Sequence, residues 1–139
     1  MNQEVIIELQ VDNLIKNILP NLNNRLLIIK FGAEWCGPCK KIENVFYEEV
    51  IKREKNILVA DLDVDENSEI YGKFKAARLV NGIPAILAFK SHNGNERLNE
   101  LVIDSVSGSD INNIREFFLR VNNIAKSIKN NIIVAPEKK

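Results

Sequence analysis

Phe31-Gly32-Ala33-Glu34-Trp35-Cys36-Gly37-Pro38-Cys39-Lys40 holds both cysteines of the 139-residue chain, with two residues between them. A hydrophobic strand candidate, Leu26 to Lys30, leads into this stretch. An amphipathic segment, Lys40 to Lys52, leads out of it. Strand, short turn, cysteine pair and helix is the setting in which C-x-x-C reads as a redox dithiol. The reason is electrostatic. The first turn of a helix presents unpaired N–H groups and the positive end of the helix dipole. A thiolate at Cys36 is stabilised there, below the free thiol value of roughly 8.5. Cys39, one turn further in, is placed to attack a mixed disulfide on Cys36.

Two other readings of the pair carry less. A four-coordinate zinc site needs further ligands, yet there is no second C-x-x-C, and the only histidine, His92, lies in a polar turn. Two inert core cysteines fit poorly with Trp35-Cys36-Gly37-Pro38-Cys39, which is not core composition. Dithiol chemistry remains the main expectation, with no metal.

Outward from the pair, the chain alternates strand and helix signals. Glu4 to Leu9 reads as a short strand. Asp12 is a plausible N-cap for a helix over Asn13 to Leu19, ended by Pro20 and the asparagines after it. Leu26 to Phe31 is apolar almost throughout, as a strand covered on both faces should be, and Lys30 interrupts it. Gly37 to about Lys52 is a long helix with Ile42, Val45, Phe46 and Val50 on one face. Ile57 to Val64 is a strand. Asp65 to Ser68 starts a helix that runs to about Lys75, and Ala76 to Asn81 connects it to a strand from Ala85 to Lys90. Asn93-Gly94 is a hairpin turn pair, and Leu98 to about Ile103 is the returning strand. Ser107-Gly108-Ser109-Asp110 caps a last helix to about Asn122, with Ile111, Ile114, Phe117, Phe118 and Val121 inward. Residues 1–122 are read as one domain and 123–139 as a C-terminal extension. Ile124, Ile128, Ile132 and Ile133 suggest that the extension prolongs the helix to about Lys129 with an apolar face seeking a partner. Pro136 to Lys139 reads as frayed.

Trp35-Cys36-Gly37-Pro38-Cys39-Lys40 is identical to the active-site motif of thioredoxins. Ile28 to Lys40, Asp61 to Asn67, Gly82 to Lys90 and Ser107 to Phe117 resemble successive thioredoxin landmarks in the right order, so the likeness covers roughly residues 3 to 122. The resemblance implies an α/β thioredoxin fold, with a central mixed β-sheet flanked by helices in the order β-α-β-α-β-α-β-β-α. It also implies a disulfide reductase with Cys36 as nucleophile, Cys39 as resolving thiol and a Cys36–Cys39 redox disulfide. Gly37 and Pro38 shape the start of the helix, Pro38 by removing an N–H and fixing φ. Trp35 is an amphipathic lid beside the nucleophile. Pro84, after Gly82-Ile83, resembles the family's cis-proline facing the dithiol. That would leave the Ile83 backbone free to pair with a substrate strand, so that affinity comes from main-chain bonds. Gly108 matches a glycine that lets substrate approach.

The chain also departs from that family. Thioredoxins usually carry a buried aspartate where Lys30 stands, and a lysine where Asp61 stands, so the two charges look exchanged. Either they pair beneath the dithiol, keeping buried charge balanced, or Lys30 snorkels outward and Asp61 is solvated. Gly32 stands where an aromatic residue is common, and Asn44 where a helix-kinking proline is common. The connection Ala76 to Asn81 is about four residues longer than usual. These departures bear on rate and potential rather than on the reaction.

Composition bounds the remaining possibilities. Lys+Arg and Asp+Glu are both 19. That balance argues against a nucleic-acid stripe or a polybasic membrane patch. No run approaches transmembrane length, and Met1-Asn2-Gln3-Glu4 lacks the features of a signal peptide. The expectation is a cytoplasmic protein, with host cytoplasm or a virion as variants if the source is viral. Its partners are disulfide-containing client proteins and an NADPH-linked thioredoxin reductase or equivalent dithiol donor. The chain has no nucleotide fingerprint and no cofactor of its own. Two alternatives stay open: a disulfide oxidase or isomerase, and a thioredoxin-fold binding module without catalysis. Potential separates the reductase from the first of these, about −270 mV suiting a reductase and about −180 mV an isomerase.

Overall fold

The computed structural model describes residues 4–138, and side chains as far as residue 129. Its frame is one four-stranded sheet in the order β2-β1-β3-β4. Strand β1 (Leu26–Gly32) lies in the interior of the sheet, and every one of its residues is buried. Strand β2 (Ile57–Asp63) runs parallel to it on one side, with Leu26 opposite Ile57 and Lys30 opposite Asp61. Strand β3 (Ala85–Phe89) is antiparallel on the other side, with Phe31 opposite Ala85. Strand β4 (Val102–Ser107) closes the far edge, antiparallel to β3.

Alternation along β1 sends side chains into two separate cores. Leu27, Ile29 and Phe31 join the core under α3 (Ser68–Ala76) and the N-terminal helical segments. Phe31 packs there against Tyr71 and Phe74, with ring centroids 5.3 and 5.2 Å away. Leu26 and Ile28 join the core under α2 (Gly37–Lys52) and α4 (Ile111–Lys138), where Phe46, Phe117 and Phe118 meet edge to face. Helices on both faces of a mixed sheet are the thioredoxin-like arrangement expected from the sequence. Among the described residues no helix is long and apolar enough to cross a membrane.

Several boundaries differ from the sequence reading, each for a local reason. The Glu4 to Leu9 strand shrinks to one parallel bridge, Ile6 to Ala60, made by Ile6 N–H to the Val59 carbonyl and Asp61 N–H to the Ile6 carbonyl. Asp12 is not a cap. The chain turns helical two residues earlier, at α1 (Val11–Asn13), and continues as a π-helical turn over Leu14–Ile18 and a 3-10 turn over Leu19–Asn21. Asp65 lies in a turn before α3, whose N-cap is Asn67. Leu98–Leu101 is a 3-10 turn closed by a reciprocal pair of contacts between Arg97 and Glu100, so the returning strand starts at Val102. That turn puts Leu101 wholly inside the core.

Helix α4 does not stop near Asn122. It runs without a break to Lys138, through the segment read as frayed; Lys139 and the side chains of Ile132 and Ile133 lie outside the description. Its second half has a partner within the chain as far as Lys129. Ala125 is fully buried, and Ile124 and Ile128 pack on the same core. The Ala125 carbonyl accepts from Asn56 Nδ2 at 2.9 Å, and Lys126 and Lys129 both reach Glu54.

Asn67 ties the N-terminal segment to the sheet. Its Oδ1 accepts from Leu9 N–H at 2.9 Å, and its Nδ2 donates to the carbonyls of Ile7 and Asp63. Asn67→Ala leaves the Leu9 N–H buried without an acceptor, an expected cost of about 1–3 kcal/mol. Urea unfolding should show a lower midpoint at unchanged slope. An unmoved midpoint would mean that the amide finds another acceptor.

Candidate functional site

The cysteines meet at one end of the sheet because β1 ends at Gly32 and α2 begins at Gly37. Cys36 is the N-cap of α2, in extended conformation, and Cys39 N–H donates to its sulfur at 3.2 Å. The two sulfurs are joined as a disulfide, with Cα atoms 5.2 Å apart. Pro38 stands in the first turn, where a missing N–H costs the helix nothing. The residue pair is not distinguished by exposure. Cys36 is 6% and Cys39 5% exposed in the disulfide form. Position distinguishes them instead: only the Cys36 sulfur receives a helix N–H.

The neighbouring segments arrive through strand register. Phe31 pairs with Ala85, and Ala85 with Ser107. Pro84 and Gly108, each one residue beyond those pairs, therefore stand at the same end of the sheet as Gly32. The Ile83–Pro84 bond is cis. Gly108 N–H donates to the Pro84 carbonyl at 3.0 Å, which joins the two loops, and Gly108 has φ +91°, where a side chain would be strained. Ile83 is half-buried and Trp35 is 68% exposed. Trp35 Nε1 donates to Asp65 Oδ2 at 2.8 Å, so the indole is tethered by its polar edge while its ring faces outward. Asp65 is in turn set by the Asp63 carboxylate, which accepts from the N–H groups of Asp65 and Glu66.

Lys30 does not snorkel outward. It is 6% exposed, and its ammonium lies 3.0 Å from Asp61 Oδ1 and 5.1 Å from the centre of the Phe46 ring. Asp61 Oδ2 accepts from the hydroxyl of Tyr47 on α2. Gly32 lies against this group. A Cβ placed on Gly32 would stand 3.4 Å from Lys30 Nζ and 3.5 Å from Cys39 Sγ, so ammonium and sulfur border the same small space. Asn44 is exposed and α2 runs past it unbroken. Among the described residues no group of three or more His, Cys, Asp or Glu side chains is placed to hold a metal ion.

Sequence reasoning missed Tyr47 and Asp65. Tyr47 sits beside Phe46 on the helix face and reads as ordinary packing. Only β2 lying next to β1 brings Asp61 within its reach. Asp65 reads as the start of a helix, and nothing local links it to an indole thirty positions earlier. Burial, then the hydrogen bond and charge of Asp61, then Glu43, push the Tyr47 hydroxyl well above its ordinary value of 10. The folded chain therefore keeps this proton where the unfolded chain loses it. The contribution is complete below about pH 10 and fades as pH rises further. Comparing urea midpoints at about pH 9 and about pH 11.5, the alkaline loss should be smaller in Tyr47→Phe than in the parent chain. Equal losses would show that Tyr47 titrates alike in both states.

Comparison with known proteins agrees with this geometry. The thioredoxin family model matches residues 5–112. Thioredoxin domain-containing protein 8 of Rattus norvegicus is 28% identical over 116 residues, covering 73% of this chain and 87% of that protein. A thioredoxin of Mycobacterium tuberculosis is 38% identical over 68 residues, 49% of this chain and 55% of that protein, so the match spans about half its length. The crystal structure of Schistosoma mansoni thioredoxin superposes with a TM-score of 0.61 at 27% identity, covering 85% of this chain and 96% of that one. With the strand order, the cysteine pair at a helix start and these likenesses together, the chain belongs to the thioredoxin family and carries that family's thiol–disulfide oxidoreductase pair at Cys36 and Cys39.

Proposed function

We propose that the chain reduces disulfides in client proteins, with Cys36 as nucleophile and Cys39 as resolving thiol. One observation carries the assignment: the Cys36 sulfur caps α2 and takes the Cys39 N–H at 3.2 Å. A negative sulfur there is stabilised by the helix N-terminus, and no other sulfur has that position. In the reduced protein the Cys36 thiolate attacks a client disulfide. One client sulfur leaves as thiolate, and the client is held on Cys36 as a mixed disulfide. Cys39 then attacks Cys36, the Cys36–Cys39 bond forms, and the second client thiol is released.

Substrate handling is assigned to Trp35, Ile83, Pro84 and Gly108. In support, Trp35 offers an exposed ring with its N–H already engaged, and Pro84 and Gly108 are bonded together at the end of the sheet where β1 leads into the pair. The Ile83 main chain pairs with an extended client segment, which is compatible with clients of varied sequence. Gly37 and Pro38 serve the start of the helix, and Lys30 and Asp61 support the dithiol from below. Residues 1–122 are read as the catalytic domain, with 123–139 as an extension of its last helix. The oxidised product needs a dithiol donor, and an NADPH-linked thioredoxin reductase or its equivalent fits that need. A dithiol that must be re-reduced suits a reducing compartment such as the cytoplasm.

Brief treatment of the reduced protein with iodoacetamide near neutral pH should label Cys36 at least about tenfold faster than Cys39. Preferential labelling of Cys39 would reverse the assignment. Cys39→Ser should accumulate a mixed disulfide with an insulin-like substrate, and Cys36→Ser should accumulate none. Failure to trap any adduct in Cys39→Ser would remove Cys39 as the resolving thiol.

A further inference from the structure

We propose that Lys30, held by Asp61 and Tyr47, is the charge that governs Cys39, and that it promotes the resolving step by stabilising the Cys39 thiolate. The inference rests on Cys39 being the resolving thiol and adds to that reading the charged group acting on it.

Three observations carry it. First, the ammonium of Lys30 and the sulfur of Cys39 border the one small space that Gly32 leaves open. A Cβ at 32 would stand in contact with both. Second, both oxygens of Asp61 are engaged, Oδ1 by Lys30 and Oδ2 by Tyr47. The carboxylate is thereby turned to its two donors and is a poor acceptor for a thiol proton. Third, Lys30 is buried over the face of Phe46, where little water screens its charge. The other charged residues on the elements around this space are Lys40, Lys41 and Glu43 near the start of α2, all exposed, and Asp63 on β2 opposite Gly32, whose carboxylate accepts from the N–H groups of Asp65 and Glu66; β3 has none.

The consequence follows from sign. A cation beside a thiol favours the thiolate, whereas a carboxylate disfavours it. During resolution the Cys39 thiol first gives its proton to water. Its thiolate attacks the Cys36 sulfur, the Cys36–client bond breaks, and the electron pair leaves on the client sulfur, which regains a proton from water. No further oxidant or reductant enters. Asp61 and Tyr47 are positioning residues that keep Lys30 aimed at this space. Stabilising the reduced form also moves the pair toward stronger oxidising power.

The test uses the full chain with Cys36→Ser, so that Cys39 is the only thiol, and follows the rate of its alkylation by iodoacetamide against pH. Lys30→Met alone is ambiguous, because it leaves Asp61 buried and unpaired. The neutral double variant Lys30→Met/Asp61→Asn avoids this and leaves no lone buried charge to unfold the chain. Its alkylation midpoint should move up by about one pH unit, a rate about tenfold lower below the midpoint. Lys30→Arg should keep the midpoint near that of the parent. With both cysteines present, the double variant should equilibrate with glutathione as a stronger reductant at neutral pH. An unmoved midpoint, or one that falls, would overturn the proposal, a fall identifying Asp61 as the governing charge. Either result leaves mixed-disulfide trapping by Cys39→Ser intact, so it is distinguishable from failure of the resolving-thiol assignment.

Discussion

The total burial of β1 is the constraint on which the rest depends. A strand with hydrogen-bonding neighbours on both sides and helices over both faces has no solvent to satisfy it. Its backbone is satisfied by β2 and β3. Its odd-numbered side chains need α3, and its even-numbered ones need α2 and α4. Two cores separated by one sheet follow from seven consecutive buried residues. The aromatic clusters on the two faces, around Phe31 and around Phe46, fill the volume that this arrangement encloses.

The redox pair inherits its position from the end of that strand. Between Gly32 and Gly37 the chain has only a short turn in which to pass from sheet to helix, so the start of α2 is held close to the edge of the core. The N–H groups at the start of a helix point along the axis toward whatever precedes it, and here that is the Cys36 sulfur. The antiparallel register of β3 and β4 then returns Pro84 and Gly108 to the same end. One strand end thus gathers residues from four parts of the chain without a pocket having to be built for any of them.

Burial of β1 also explains why Lys30 cannot be treated as a surface lysine. An isolated buried ammonium is costly, and a buried ion pair breaks even only when geometry and further hydrogen bonds are good. Parallel pairing sets Asp61 directly across from Lys30, Tyr47 takes the second carboxylate oxygen, and the Phe46 ring faces the cation. The exchange of charges relative to other thioredoxins is therefore compensated at the same site. Gly32 borders the same group, against both the Lys30 ammonium and the Cys39 sulfur.

Much of this was legible before any coordinates. Periodicity and the Trp35–Lys40 motif determine the family, the dithiol, the central strand and the amphipathic face of α2, because these depend on residues adjacent in sequence. Even the Lys30–Asp61 partnership is visible as a paired departure, with snorkelling as the lesser alternative. The tertiary structure alone decided what depends on distant segments meeting. It reduced the first strand to one bridge, because only Ile6 reaches β2. It moved the returning strand to Val102, because Arg97 and Glu100 close a turn first. It gave the second half of α4, which the apolar spacing already carries to about Lys129, its partners in Asn56 and Glu54. It brought Tyr47 to Asp61 and Asp65 to Trp35. It also set the Lys30 ammonium and the Cys39 sulfur around the same small space at Gly32, since a side chain's aim inside a core is set by the space its neighbours leave.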